Sequence, residues 1–459
     1  MGTDIDTLTG ETVELLQQLI RNQCVNDGTP DSGNEVASAE VLRNELEGIG
    51  LDFETIETRP GRTSLVARYE GTDPDAPALC LMGHTDVVPV DPSGWVNDPF
   101  GGELIESPEG IKEVWGRGAV DMLNLTASMA VAFREIVRSG TRYPGDIVYF
   151  AVADEEAGGA LGAKPIVEDH WDLVRCDYLL TEYGGTPAHG ADGTRVLVTT
   201  GEKTGAARKL TIHGTPGHGS MPYATDNALV KAAEIVRRIQ AAELEPRIDD
   251  MFTERVKALS LPPDQEAGLL DPGRVAETLA AMPPGLARNT HSCCHTTISP
   301  NILHSGDKIN TVANRAELQL DIRMLPGQTQ TEIDELLEEI IGADLMPSVD
   351  IEWLALNMAE TAPQPSSTDS PLWSAMSDAI HMAYPEAKII PSIVTGGTDA
   401  RFFRQKGVPS YGAGLLSNQV SLEEFLNRFH GHNERIDTES LKLTTQMWLD
   451  VCDRLWATG

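Results

Sequence analysis

The chain is poor in positive charge and in cysteine and has no long apolar run, and each shortage removes a class of function. Of 459 residues, 35 are lysine or arginine against 70 aspartates and glutamates, a formal net charge of −35. A surface of that sign repels phosphate backbones, which argues against nucleic acid as a partner. The excess serves solubility. The six cysteines, Cys24, Cys80, Cys176, Cys293, Cys294 and Cys452, are scattered and mostly sit in apolar segments. That pattern predicts reduced thiols in a cytoplasmic chain and not a disulfide framework. No stretch is long and apolar enough to predict a membrane span. Met1 to Gln18 is acidic and lacks a basic region followed by an apolar one, so no secretory signal is expected. No internal repeat or low-complexity tract stands out.

What is present is ample apolar material. Hydrophobic residues make up 41% of a chain long enough for two domains. Glu11–Arg21, Ala37–Ile49 and Leu123–Ser139 have helical periodicity, and Ser64–Tyr69, Ala78–Met82, Asp146–Ala153 and Asp177–Thr181 read as short buried strands. Helices alternating with apolar strands predict an α/β fold with a mixed sheet covered on its faces. From about Arg208 the order changes. A strand (Lys209–His213), a helix (Asn227–Ala241), strands at Thr297–His304 and Ala316–Arg323, a helix (Thr329–Ile341) and a strand (Val349–Leu354) spell β-α-β-β-α-β, the ferredoxin-like sandwich. A stretch from Glu245 to Ser292 interrupts it and reads as loop-rich. The α/β pattern then resumes and closes with a long helix, Thr438–Trp456. The expected organisation is a catalytic domain of residues 1–204 and 358–459 with an inserted lid and dimerisation domain of residues 205–357.

Chemistry gathers in loops that follow apolar stretches. Gly83-His84-Thr85-Asp86, Gly118-Ala119-Val120-Asp121, Asp154-Glu155-Glu156 and Thr181-Glu182 each place imidazole or carboxylate groups where open α/β sheets bind ligands. Acids converging there repel one another unless cations sit among them. Phe429-His430-Gly431-His432-Asn433-Glu434 adds imidazole ahead of the last helix. In His84-x-Asp86 the two side chains point the same way along extended backbone, so Asp86 is placed to accept the second ring N–H of a metal-bound His84. In Glu155-Glu156 one carboxylate can bind metal while its neighbour acts as general base. His291-Ser292-Cys293-Cys294-His295 looks like a metal cluster but lacks the usual two-residue spacing between cysteines, and is read as structural.

Taken in order, Gly83-His84-Thr85-Asp86-Val87-Val88-Pro89, Trp115-Gly116-Arg117-Gly118-Ala119-x-Asp121, Asp154-Glu155-Glu156, Gly217-His218-Gly219-Ser220-x-Pro222 and Gly396-Gly397-Thr398-Asp399 resemble the signatures of the two-zinc metallopeptidase family of aminoacylases, carboxypeptidases, desuccinylases and acetylornithine deacetylases. The resemblance spans nearly the whole chain. It implies that His84, Asp121 and Glu182 hold one zinc ion and Asp121, Glu156 and His430 the other, with cobalt or manganese as substitutes. His432 is the second choice to His430. Glu155 would be the general base acting on a zinc-bridged hydroxide, and Asp86 would orient His84. His218 is similar to a histidine that reaches a neighbouring subunit's site to stabilise an oxyanion. Asn310 and Arg323 resemble polar contacts to substrate, and the loop Gly396-Gly397-Thr398 would offer backbone N–H groups to its carboxylate.

Two positions depart from the family pattern: Leu123 stands where a charged residue is common, and Tyr183 separates Glu182 from Gly184-Gly185. The expected activity is hydrolysis of a dipeptide or N-acyl amino acid with a free carboxylate, by a homodimer joined through the lid. A desuccinylase or deacetylase, a two-zinc aminopeptidase and a non-catalytic binding protein are the alternatives.

Overall fold

The computed structural model describes residues 4–29, 31–190, 193–354 and 359–457. The expected domain junction at 357/358 and the first three residues of the acidic start lie outside the described residues. Two large β-sheets carry most of the described chain, beside a two-stranded and a three-stranded one. The larger has nine strands, in the order Phe53–Arg59, Arg62–Tyr69, Ile147–Val152, Leu79–His84, Tyr178–Thr181, Ser410–Gly412, Gly193–Glu202 and Lys388–Val394, with Gly184–Gly190 paired to Gly193–Glu202. Its central strands Leu79–His84, Ile147–Val152 and Tyr178–Thr181 run parallel. Parallel strands are covered on both faces and therefore read as unbroken apolar runs.

The side chains of those runs alternate between two cores. Leu79, Leu81, Ile147, Tyr149 and Ala151 face a large cluster built with the helices Ile5–Arg21, Leu123–Ser139, Pro371–Ala383 and Thr438–Leu455. Cys80, Met82, Val148, Phe150 and Val152 face a smaller one with Ala163, Ile166, Phe402 and Phe403. Leu123–Ser139 is buried from Leu123 to Val137, which explains a helix that is apolar nearly all round. The charged strand Phe53–Arg59 was not apparent in the sequence. It lies at the sheet edge, and its outward residues are polar.

In the second sheet Thr297–Ser305, Arg315–Met324, Arg208–His213 and Val349–Trp353 lie side by side in that order, all antiparallel. This is the strand arrangement that a β-α-β-β-α-β chain predicts. Ala316, Leu318, Leu320, Ile322 and Met324 alternate inward and pack with Ile235, Ile239, Ile333 and Leu337 of the helices Ala228–Ala241 and Gln330–Ile341. The latter helix starts at a capping box of Thr329 and Glu332.

One expectation is corrected. The stretch 245–292 is not loop-rich: it folds into the helices Asp250–Ala258, Pro263–Leu269, Val275–Ala280 and Pro284–Cys294. Each is short, and two begin at a proline. A proline at the first helical position costs no hydrogen bond, so it starts a helix as readily as it breaks one. Phe252, Val256, Leu269, Val275 and the buried thiols Cys293 and Cys294 form its core. All six cysteines are buried free thiols. Among the described residues, no helix is long and apolar enough to cross a membrane.

Candidate active site

The carboxyl ends of the parallel strands deliver the acids and His84. His84 is the last residue of Leu79–His84, Asp154 to Glu156 follow Ile147–Val152, and Glu182 follows Tyr178–Thr181. Asp121 precedes the helix Leu123–Ser139, and His430 follows the helix Leu422–Arg428. The structure brings all five expected ligands together. His84 Nε2 lies 3.3 Å from Asp121 Oδ1 and 3.7 Å from Glu182 Oε2. His430 Nε2 lies 3.1 Å from Asp121 Oδ2 and 3.3 Å from Glu156 Oε2. Asp121 thus turns one oxygen toward each imidazole. Donor atoms of His84, Asp121 and Glu156, and of His84, Glu155 and Glu182, also form two groups within 4.8 Å. His432 instead packs its ring against Gly94.

Burial makes this cluster electrostatically tense. It pushes Glu155 well above the usual carboxylate range, with the Glu182 charge adding to it, and pushes Glu182 up to about 8 despite His84 beside it. Glu156 is raised by burial and by Asp121. Burial disfavours the charged form of His84, but bonds to Asp121 and Glu182 outweigh it and hold the ring well above its usual range. Bonds to Asp121 and Glu156 raise His430 to about 10. Burial works against ionised Asp121, yet its bonds to His430 and His84 keep it below the usual range. Buried Glu156 Oε1 has no hydrogen-bond partner. Acids that hold protons this tightly, imidazoles that do the same and an orphaned carboxylate oxygen fit divalent cations, which would displace those protons.

A pH effect follows for the cation-free protein. Burial raises Glu182 to about 8 and Glu434 to about 7, so the folded state keeps protons that the unfolded chain releases near 4.5. Stability therefore falls as pH rises from about 4.5 through 8. The chelated protein should melt at a lower temperature at pH 8 than at pH 6, and divalent cation should narrow the gap. A melting point that rises between those pH values would contradict this.

The surrounding bonds explain how the cluster is held. Asp86 does not meet His84 through its carboxylate. His84 Nδ1 lies 2.9 Å from the Asp86 carbonyl oxygen and 3.6 Å from Oδ1. The Asp86 carboxylate accepts instead from Asn26 Nδ2 at 2.8 Å and from the backbone N–H groups of Glu155 and Glu156 at 3.2 and 3.1 Å. It therefore fixes the acidic turn, while its main chain fixes the imidazole.

Two further residues belong here to which the sequence reading gave no role. Buried Glu434 accepts from Arg117 Nη1 (2.6 Å) and from the backbone of Val120 (2.7 Å) and Asp121 (3.0 Å), which clamps the Asp121 loop. Tyr183 donates its hydroxyl to Asp121 Oδ2 at 3.0 Å and stacks on Phe429.

The remaining expected residues are spread out. His218 is exposed, on a short ribbon that pairs Gly217–His218 with Thr311–Val312. Gly219 N–H donates to the Asn310 carbonyl at 2.8 Å, so His218 and Asn310 share one loop pair. Among the described residues, neither bonds to the His84 cluster. Half-exposed Arg323 is paired with Asp321, Nε to Oδ1 at 2.7 Å. Gly396 lines a cleft of about 300 Å³ that also meets Glu182, Tyr183, Arg255, Asn289 and Phe429. The Thr398 N–H is already donated to buried Glu202 and is not offered to a ligand. Glu202 needs that donor because it is buried with Arg404.

The profile of "Peptidase family M20/M25/M40" matches residues 80–454. Mouse aminoacylase-1 is 26% identical over 426 residues, covering 93% of this chain and 90% of that protein. An N-fatty-acyl-amino acid synthase/hydrolase of Xenopus tropicalis is 26% identical over 408 residues, covering 85% and 75%. Among solved structures, an M20 family metallo-carboxypeptidase from Sulfolobus solfataricus superposes with a TM-score of 0.70 at 18% identity over 99% of both chains. Human carnosine dipeptidase 1 does so at 0.65 and 16%, over 98% of both. With the profile spanning most of the chain and the imidazole–carboxylate cluster at the ends of its parallel strands, the protein belongs to peptidase family M20/M25/M40 and is a metal-dependent hydrolase of amide or peptide bonds.

Proposed function

We propose that the substrate is a dipeptide or N-acyl amino acid with a free carboxylate, and that Glu155 is the general base of its hydrolysis. The carrying observation is Asp121, with one carboxylate oxygen facing His84 and the other facing His430. His84 and Glu182 would hold one cation with Asp121, and Glu156 and His430 the second. Mixed nitrogen and oxygen donors favour zinc, with cobalt or manganese as substitutes. When bound, the cations polarise the carbonyl and lower the pKa of water. Glu155 then takes a proton from the attacking water and returns it to the amide nitrogen as the C–N bond breaks. A carboxylic acid and an amine leave.

The aminoacylase and carnosine dipeptidase relatives support a small amide substrate. A panel on cation-loaded protein tests this. N-acyl amino acids and dipeptides with a blocked amine should turn over, while the same compounds with a blocked carboxylate should be at least about tenfold poorer, the value of one lost charge-assisted bond. The reverse preference would point to an aminopeptidase.

The second sheet supports a homodimer. Its outer strand Thr297–Ser305 exposes Ile302 and Leu303, and Val230, Tyr223 and Ile309 are exposed nearby in sequence to the His218 and Asn310 loops. Apolar side chains and an unpaired strand edge suit pairing with a second copy. His218 would then serve the partner's site, as an oxyanion donor. Mixing inactive Glu155→Gln and His218→Ala subunits should restore part of the activity; no recovery after verified exchange would refute the trans role. Six buried free thiols support a reducing, cytoplasmic location.

A further inference from the structure

Arg255 differs from four other arginines whose side chains are buried. Arg62 lies 2.5 Å from Glu35, Arg117 2.6 Å from Glu434, Arg404 2.6 Å from Glu202 and Arg428 3.0 Å from Glu113. Each buried guanidinium there has its carboxylate. Arg255 is 9% exposed, and its hydrogen bonds go to neutral groups: Nη1 to Ser392 Oγ at 2.5 Å and Nη2 to Asn289 Oδ1. Its buried Nε has no partner, a feature shared with Arg62, Arg117 and Arg428, so the difference lies in the missing carboxylate. Among the described residues, no carboxylate lies within ion-pair distance of it. A buried charge left without a counter-ion is disfavoured, and an anion in the cleft would supply one.

Its position says where that anion comes from. Arg255 belongs to the helix Asp250–Ala258, in the helical segment that interrupts the second sheet, and Ser392 belongs to the large sheet. Arg255, Asn289 and Ser392 line the same cleft of about 300 Å³ as Glu182 and Tyr183. The rest of that lining is largely apolar, with Leu125, Leu197, Leu259, Leu286, Phe425 and Phe429. A cleft of this size takes one amino-acid side chain or a short acyl group beside a charged head. Arg323, the arginine that the motifs suggest, is already neutralised by Asp321.

We propose that Arg255 is a substrate-binding residue that takes a carboxylate of the amide substrate, so that the inserted helical segment sets selectivity for acidic substrates. This rests on the amide-hydrolase reading above. The guanidinium offers a planar, two-pronged donor to the carboxylate while Ser392 and Asn289 hold it in plane. The apolar lining takes the adjoining hydrocarbon. The carboxylate is either the α-carboxylate of the amino acid or a distal one on its side chain, and the two are separable.

The test uses the full-length, cation-loaded enzyme and the Arg255→Gln and Arg255→Lys variants, each checked for cation content and melting temperature. The substrates are paired: an N-acetyl amino acid against its α-carboxamide, and N-acetylglutamate against N-acetylglutamine. Arg255→Gln should raise KM about 10- to 100-fold on the acid of one pair, with kcat within about threefold, and leave its neutral counterpart unchanged. The pair that responds identifies which carboxylate is bound. Arg255→Lys, which keeps the charge without the fork, should fall between and serves if the glutamine variant does not fold. Equal losses on acid and neutral substrates would make Arg255 structural and overturn the proposal. So would loss of the preference in Arg323→Gln but not in Arg255→Gln. Failure of the wild type to cleave any amide would sink the functional reading itself, a result distinct from an altered acid-to-neutral ratio.

Discussion

Replacing Glu155 with glutamine should lower kcat by about 10²- to 10⁴-fold, the usual contribution of a positioned general base. Cation content and melting temperature should stay close to wild type. The reasoning is local. Glu155 sits beside the ligand cluster, its backbone is pinned to Asp86, and burial with the Glu182 charge gives its carboxylate a strong hold on a proton. Glutamine keeps the shape and loses the basic oxygen. It also adds no charge to a crowded pocket, so the fold has no reason to weaken. Turnover near wild type would remove Glu155 from the mechanism. A parallel fall in cation content would make it a ligand instead.

The second large effect belongs to Asp121. Asp121→Asn keeps the volume but presents one neutral oxygen where two charged ones face His84 and His430. Both cations would lose a shared carboxylate at once, so bound metal should drop from about two per chain to one or fewer, with activity falling by at least about 10³-fold. Glu182→Gln touches only the His84 side. It should weaken one cation and spare the other, which separates a shared ligand from a terminal one. Two full-strength cations in Asp121→Asn would refute the shared role.

Four of the site residues that were readable in the sequence share a cause. His84, Glu155, Glu156 and Glu182 each follow an apolar run, and the ends of parallel strands converge whatever the loops do. The strand order of the second sheet was readable because its alternation is clean, as in Arg315–Met324. What escaped depends on contacts far apart in the chain. Glu434 reaches Arg117 across 317 positions, and no local pattern marks it as a clamp. Tyr183, a mere departure from the family pattern in the sequence, donates to Asp121 from a left-handed backbone position with φ of 66°. The bond expected between His84 and the Asp86 carboxylate goes to the carbonyl, since spacing fixes which way side chains point but not which oxygen is nearer. Arg255 was hidden in a stretch of four short helices, two of them started by proline, that carry too little periodicity to declare themselves.

Diffraction from crystals grown with zinc, recorded at the zinc absorption edge, addresses the claim on which the rest depends. Two anomalous peaks should flank the Asp121 carboxylate, one beside His84 and Glu182 and the other beside Glu156 and His430. A single peak away from Asp121, or none in fully zinc-loaded crystals, would contradict the account.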